Sequence, residues 1–259
     1  MSPRITLATG LRVLQQIRHD PRTIALLLLV PALLLTLMKY VFESEPRVFQ
    51  QIGAPLCGLF PFIVMFLVTS ITMLRERTTG TLERLMTLPM SKLDLLLGYA
   101  LPAVLALLLS YGYALAFGLL AAAQALVICL VGFGLLGLNA PHGVLIIVGL
   151  AVLNALLGMS LGLLVSAFAN TEFQAVQFMP AFIFPQLLLC GLFVARDQMA
   201  PLLEAVSWVM PFTWAYDALA RAVSPQPLSG RVAVDTAVVL AVTIGSLILG
   251  AMTLRRRTP

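Results

Sequence analysis

Six long stretches of the chain are apolar with no alternation between hydrophobic and polar positions. They predict membrane-spanning helices near Ile24–Val41, Ala54–Leu74, Leu101–Gly132, Gly143–Ala169, Ala175–Val194 and Val232–Leu254. A bilayer core is about 30 Å thick, and at about 1.5 Å per residue a helix needs about 20 apolar residues to cross it. Peptide groups in lipid must find partners within the protein, so a span is either a helix or part of a closed barrel. Runs such as Val144–Val165 lack the period-2 pattern of a barrel strand. The third stretch exceeds one perpendicular crossing, which predicts tilt, a bend or an extension past the membrane. The fifth contains Pro180, Pro185 and Gly191, a composition compatible with a broken or partly re-entrant segment.

Composition supports lipid as the solvent. Of 259 residues, 60% are hydrophobic and 10% charged, with a mean hydropathy of +1.01. A soluble domain carries about 25% charged residues, and this chain has too few to cover a water-facing surface. The expected fold is therefore an all-α integral membrane protein, a single transmembrane domain over residues 1–259. The run Ala25–Leu37 resembles the apolar core of a signal peptide. Met38-Lys39-Tyr40 follows it in place of a small-residue cleavage site, so a retained span is expected.

Basic residues give the orientation. Arg4, Arg12, Arg18 and Arg22, then Arg75, Arg77, Arg84 and Lys92, then Arg255, Arg256 and Arg257 share one side of a six-span topology. Lys39, Arg47, Arg196, Arg221 and Arg231 share the other. The excess marks the cytoplasmic side, so both termini are expected there, in a cytoplasmic membrane. This asymmetry also accounts for the isoelectric point of about 9.5 and removes the need for a nucleic-acid partner.

Several pieces lie outside the lipid core. Residues 4–20 read as a basic amphipathic helix at the inner interface, with Arg12, Gln15, Gln16 and His19 on one face and Leu7, Leu11 and Leu14 on the other. The cytoplasmic loop 75–98 holds a short helix. Thr79-Gly80 starts it, Glu83 suits its first turn, Leu82, Leu85, Met86 and Leu88 form an apolar face, and Pro89 ends it. Such a helix suits docking in another protein's groove. Ser91 and Asp94 then open the next helix. Residues 195–231 read as two short outer helices, Pro201–Val209 and Phe212–Val223, with Trp208, Trp214 and Tyr216 as interface anchors.

Small residues recur every fourth position at Ser110, Ala114, Gly118 and Ala122, and at Gly158, Gly162 and Ser166, which predicts closely packed helices. Gln124, Asn154, Gln174, Gln177 and Gln186 are the polar residues in or near spans, with Glu172 near a cytoplasmic end. No acidic residue stands out at mid-span, which argues against a proton- or sodium-driven carrier. Cys57, Cys129 and Cys190 read as small buried hydrophobes. The two histidines, His19 and His142, form no metal-ligand cluster. The two lysines, Lys39 and Lys92, belong to no nucleotide-binding loop, so no cofactor is expected. Two other classes remain open: a lipid-modifying enzyme using Glu172 with Asn170 or Asp217 with Arg221, and a non-transporting assembly factor.

Taken in order, these residues resemble a family. Arg75–Pro102, with Glu76, Gly80-Thr81-Leu82-Glu83, Pro89, Ser91 and Gly98…Leu101-Pro102, resembles the permease subunits of ATP-binding-cassette type-2 exporters. So do Gly162, Ala169-Asn170-Thr171-Glu172 with Gln174 and Gln177, Gly191-Leu192-Phe193, and Pro211-Phe212-Thr213 with Arg221. Ala195 departs from the pattern, standing where many members carry a proline.

The resemblance implies a coupling helix around Gly80–Leu88 that docks on a separate ATPase subunit. Glu76, Gly80, Thr81, Leu82, Glu83, Leu85, Met86 and Pro89 would form that contact. It also implies a second permease copy, identical or related, and short outer re-entrant helices that close the exit. Gln174, Gln177, Phe193, Pro211 and Arg221 are then candidate pathway or gate residues. ATP would be bound by the partner subunit, and the cargo would be hydrophobic or amphipathic, such as a drug, an antibiotic or a lipid-like molecule.

Overall fold

The apolar runs fold into helices, as the backbone in hydrocarbon requires. The computed structural model describes residues 21–78 and 101–253, with side chains at 24–75 and 114–253. In chain order the helices are α1 (Pro21–Val41), α2 (Pro46–Thr78), α3 (Leu101–Cys129), α4 (Val144–Val165), α5 (Glu172–Leu189), α6 (Pro201–Ser207), α7 (Pro211–Val223) and α8 (Gly230–Met252). A π-helical turn, Leu130–Leu135, extends α3, and a 3-10 turn, Arg196–Gln198, precedes α6. No strand occurs among the described residues. The amphipathic segment 4–20 and the docking segment 79–98 lie outside the described residues.

Five segments are long and apolar enough to cross a membrane: Ile24–Val41, Pro46–Arg75, Ala114–Leu135, Val144–Val165 and Gly230–Met252. The fifth expected span falls on α5, which is not among these five; its 18 residues would extend about 27 Å. Glu172, three glutamines and two prolines dilute its hydropathy. It runs unbroken through Pro180 and Pro185, so it is neither interrupted nor folded back on itself.

Several boundaries shift for local reasons. Helix α2 begins at Pro46, ahead of the expected Ala54, because Gln50 anchors the polar extension. Gln50 Nε2 donates to the Gly137 carbonyl at 2.9 Å and its Oε1 accepts from Asn139 N at 2.8 Å. Helix α4 stops at Val165, short of Ala169, where the Ser166 hydroxyl turns back on the Leu163 carbonyl at 2.6 Å. Helix α5 starts at Glu172 because Thr171 Oγ1 accepts from Gln174 N at 3.2 Å, while Gln174 Oε1 accepts from Asn170 N at 2.8 Å. This is a capping-box arrangement. It ends at Leu189, and Gly191 then turns the chain with φ of +101°, a region that only glycine enters without strain.

Helix α4 is the central post. Gly58 on α2 lies against Asn154, Gly158 lies against the Phe62 backbone, and Gly162 against the Phe66 carbonyl. The two helices advance four residues together, so they run parallel with their backbones in contact. Thr69 Oγ1, which donates to the Met65 carbonyl at 2.6 Å, also approaches that of Met159 at 3.2 Å. Helices α1 and α3 are parallel in the same way: Gln124 Nε2 donates to the Leu27 carbonyl at 3.0 Å, and Gly132 sits against Leu35 two turns further on. The second small-residue ridge behaves differently. Ala114, Gly118 and Ala122 are only half-buried, and the packed stripe of α3 is Ala116, Phe117, Leu120, Ala121, Gln124, Ala125 and Ile128.

These contacts fix the ends of the bundle. At the end where α1 begins, here called proximal, α2 meets the start of α5 through Arg75 and Glu172, and Gly250 of α8 meets the backbone at Leu163 and Leu164 of α4. At the distal end, His142 Nε2 lies 2.9 Å from the Ser224 carbonyl and 2.8 Å from that of Gln226. The long outer segment with α6 and α7 lies there. Leu26, Leu29, Leu33 and Leu37 of α1 and Leu240, Ile244 and Ile248 of α8 point outward, an aliphatic surface suited to lipid.

A leucine at position 158 or 162 would drive its Cβ into the α2 backbone, which cannot yield as a side chain can. Gly158→Leu and Gly162→Leu are expected to destabilise the bundle by about 1–3 kcal/mol or more. Gly149→Leu, where a Cβ meets open space, serves as the control. Thermal unfolding in detergent should separate the two classes.

Candidate functional site

Two constellations of charged side chains stand out among the described residues. The first is at the proximal end. Helix α2 carries Arg75 on its final turns, and the guanidinium forks onto Glu172, with Nε to Oε1 at 2.9 Å and Nη2 to Oε2 at 3.1 Å. The forked geometry matches a planar cation to a carboxylate, and hydrogen bonding to Arg75 holds the Glu172 carboxyl below its ordinary range. Glu172 also stands in the first turn of α5, where a negative charge meets the positive end of the helix dipole. The pair therefore joins the helix that leads into segment 79–100 to the start of α5.

The second constellation is distal. Asp217 on α7 pairs closely with Arg196 from the turn before α6, and Arg221, one turn on, lies 3.8 Å from Asp217 and 3.4 Å from Asp235 of α8. Arg196 also lies over the Trp208 ring at 4.3 Å, with Arg231 at 5.7 Å from it. Trp214 Nε1 donates to the Trp208 carbonyl at 3.0 Å, and the two rings are 5.2 Å apart. Burial pushes the Tyr216 hydroxyl up to about 12, so it stays neutral.

Helix α7 is fastened to the bundle by its apolar face. Phe212, Ala215, Ala218, Leu219 and Ala222 are buried, and Phe212 stacks on Phe62 at 4.8 Å. Pro211 occupies the first helical position, where a missing N–H costs nothing. The next N–H, that of Phe212, donates to Gln186 Oε1 of α5 at 3.2 Å, so a neighbouring helix caps this one.

The expected site residues scatter. Arg221 enters the distal cluster, and Pro211 starts α7. Gln174 is occupied as the cap of α5. Gln177 and Phe193 are exposed on the surface of the chain. Glu76 lies in the last turn of α2, described in backbone only. Gly80, Thr81, Leu82, Glu83, Leu85, Met86 and Pro89 lie outside the described residues. Asp235 is the residue that hydropathy passes over, because one acid near the start of a 23-residue apolar helix barely lowers its average. The signal available was its spacing: Arg231 and Asp235 stand one turn apart, as do Asp217 and Arg221.

The chemistry of both clusters is electrostatic. Glu172 is occupied by Arg75 and Asp217 by Arg196, so neither carboxylate stands ready as a general base for an enzymatic step. Cys57, Cys129 and Cys190 are buried free thiols, and no metal-binding group of His, Cys, Asp or Glu occurs among the described residues.

The fold and these sites define a multi-span helical membrane protein with charge pairs at both ends of its bundle. Residues 6–223 match the family described as ABC-2 type transporter, and the chain belongs to that family. It is similar to the "Probable multidrug ABC transporter permease YbhR" of Escherichia coli strain K12 and to the protein of the same name from Escherichia coli O157:H7. Each is 27% identical over 156 residues, a match that covers 60% of this chain and 39% of the relative.

Replacing Gln186 by leucine removes the acceptor for the buried Phe212 N–H. Gln186→Leu is expected to cost about 1–3 kcal/mol, seen as a lower midpoint of thermal unfolding in detergent. An unchanged midpoint would show that this contact does not fasten α7.

Proposed function

We propose that this chain is the membrane-spanning permease subunit of an ATP-driven exporter. Its substrate is hydrophobic or amphipathic (a drug, an antibiotic or a lipid-like molecule), and it moves across the cytoplasmic membrane. In this reading α5 is the sixth span, the proximal end faces the cytoplasm with both chain termini, and segment 195–231 faces outward. A separate ATP-binding-cassette ATPase docks on segment 75–98, chiefly through Glu76, Gly80–Glu83, Leu85, Met86 and Pro89. A second permease copy, identical or related, completes the pathway. ATP is bound and hydrolysed by the partner, and this chain contributes no catalytic residue of its own.

One observation carries the reading. The alternation of the helices brings the ends of α2 and α3 that flank segment 79–100 to the same end of the bundle as the start of α1 and the end of α8. The basic residues flanking the spans are in excess at that end. The Arg75–Glu172 fork supplies a mechanical path from the docking segment into α5. The buried carboxylates Asp217 and Asp235 both face arginines, which suits a hydrophobic or amphipathic cargo better than a cationic one. The printed description of the relatives as multidrug permeases supports a drug-like substrate.

The test is coupling. With the partner ATPase reconstituted in vesicles, Glu83→Ala and Gly80→Leu are expected to insert normally and to permit ATP hydrolysis while ATP-dependent transport is lost. Normal transport by both variants would overturn the assignment of this segment.

A further inference from the structure

The outer half of α8 buries a mostly polar stripe. Its buried stripe is Asp235, Val239, Thr243, Ser246 and Gly250, with one aliphatic residue among five. Its outward face is the aliphatic one, with Val234, Leu240, Ile244, Ile248 and Leu249 exposed. Near the proximal end a Cβ added at Gly250 would meet the Leu164 backbone at 3.5 Å, so α8 packs directly on α4 there. Towards the distal end the Thr243 hydroxyl is spent on its own helix, donating to the Val239 carbonyl at 2.8 Å. The distal half meets α7 through Val232, packed against the apolar cluster that holds Ala218, Leu219 and Ala222, and through the contact between Arg221 and Asp235, with Arg231 at 5.7 Å from the Trp208 ring.

That contact is poorly made. The Asp235 side chain is 1% exposed, yet neither of its oxygens accepts a hydrogen bond, and Arg221 Nε donates none. Arg221 is 41% exposed and is shared with Asp217. By contrast, Asp217 is hydrogen-bonded to Arg196. A carboxylate buried without hydrogen bonds gains solvation whenever water reaches it, so separation of α8 from α7 is favoured by the charge that the closed state conceals.

We infer that the distal half of α8 is a hinged strut, packed on α4 near Gly250 and latched at Arg221–Asp235, and that Asp235 biases the latch toward release. The swing opens the outer end of the bundle between α7 and α8. Its use as an exit rests on the permease reading given above; the latch itself does not.

The inference gives opposite signs for the two partners. Arg221→Gln leaves Asp235 buried with only Arg231 and Arg196 to oppose its charge and is expected to open the strut at rest. Asp235→Leu removes the concealed charge, while Arg221 keeps Asp217 and water, and holds the strut shut. Asp235→Leu added to Arg221→Gln should close it again.

Val239, one turn inward from Asp235 and 1% exposed, provides the reporter. Val239→Cys is labelled with a membrane-impermeant maleimide in sealed vesicles of each orientation, without nucleotide or partner, and mass spectrometry resolves the labelled cysteine. Labelling of Val239→Cys is expected to rise about tenfold with Arg221→Gln and to return to the starting rate when Asp235→Leu is added. An unchanged rate with Arg221→Gln, or a combined variant as reactive as Arg221→Gln, overturns the latch. So does labelling of Cys57 and Cys129 in parallel, because that reports general loosening. Labelling from the opposite side of the membrane, with the same pattern among variants, overturns the orientation in the permease reading and leaves the latch standing.

Discussion

Hydrocarbon offers no partner to an unpaired peptide group and gives two apolar helices little reason to associate. Close backbone contact has to supply the attraction, and in this chain it comes from Gly158 and Gly162 of α4 lying against the Phe62 and Phe66 carbonyls of α2. Once those two helices run parallel and in contact, the intervening α3 must run the other way. Helix α1 then follows α3 through Gln124 and Leu27. The direction of every span, and therefore which loops share an end, derives from that one contact.

The polar residues fall into place around this frame. Buried amides and hydroxyls are mostly spent on backbone carbonyls, as with Thr69, Gln124 and Gln186. Charges are confined to the two ends, where arginines neutralise them. The proximal pair is well formed and fastens α2 to α5. The distal cluster is uneven, with one tight pair and one loose one.

Much of the architecture was legible in the sequence because lipid enforces it. The apolar runs, the helix class and the glycine ridge Gly158–Gly162 follow from hydropathy and four-residue spacing. Helix ends were less legible, since Gln50 and the Thr171–Gln174 cap extend helices beyond the apolar run by hydrogen bonds that hydropathy does not register. The other small-residue ridge, Ala114 with Gly118 and Ala122, is half-buried, with Gly118 facing Leu156 of α4, because larger residues carry most of the packed stripe of α3. Among site residues, Arg221 could be read from its motif, whereas Asp235 could not. Its importance comes from a tertiary partner one helix away, and an isolated acid at the head of an apolar run reads as an interfacial residue. Gln174, expected from the resemblance as a pathway or gate residue, has its side chain on the Asn170 N–H at the start of α5.

The account depends most on the alternation of the helices, because docking, orientation and the outer cluster all follow from it. The direct measurement is accessibility mapping with single cysteines at Ser91, Thr258, Ala140 and Gln226, using an impermeant thiol reagent on intact and then permeabilised cells. Ala140→Cys and Gln226→Cys should react in intact cells, and Ser91→Cys and Thr258→Cys only after permeabilisation. If Ser91→Cys reacts together with Ala140→Cys before the membrane is opened, the docking segment is on the wrong face and the account fails.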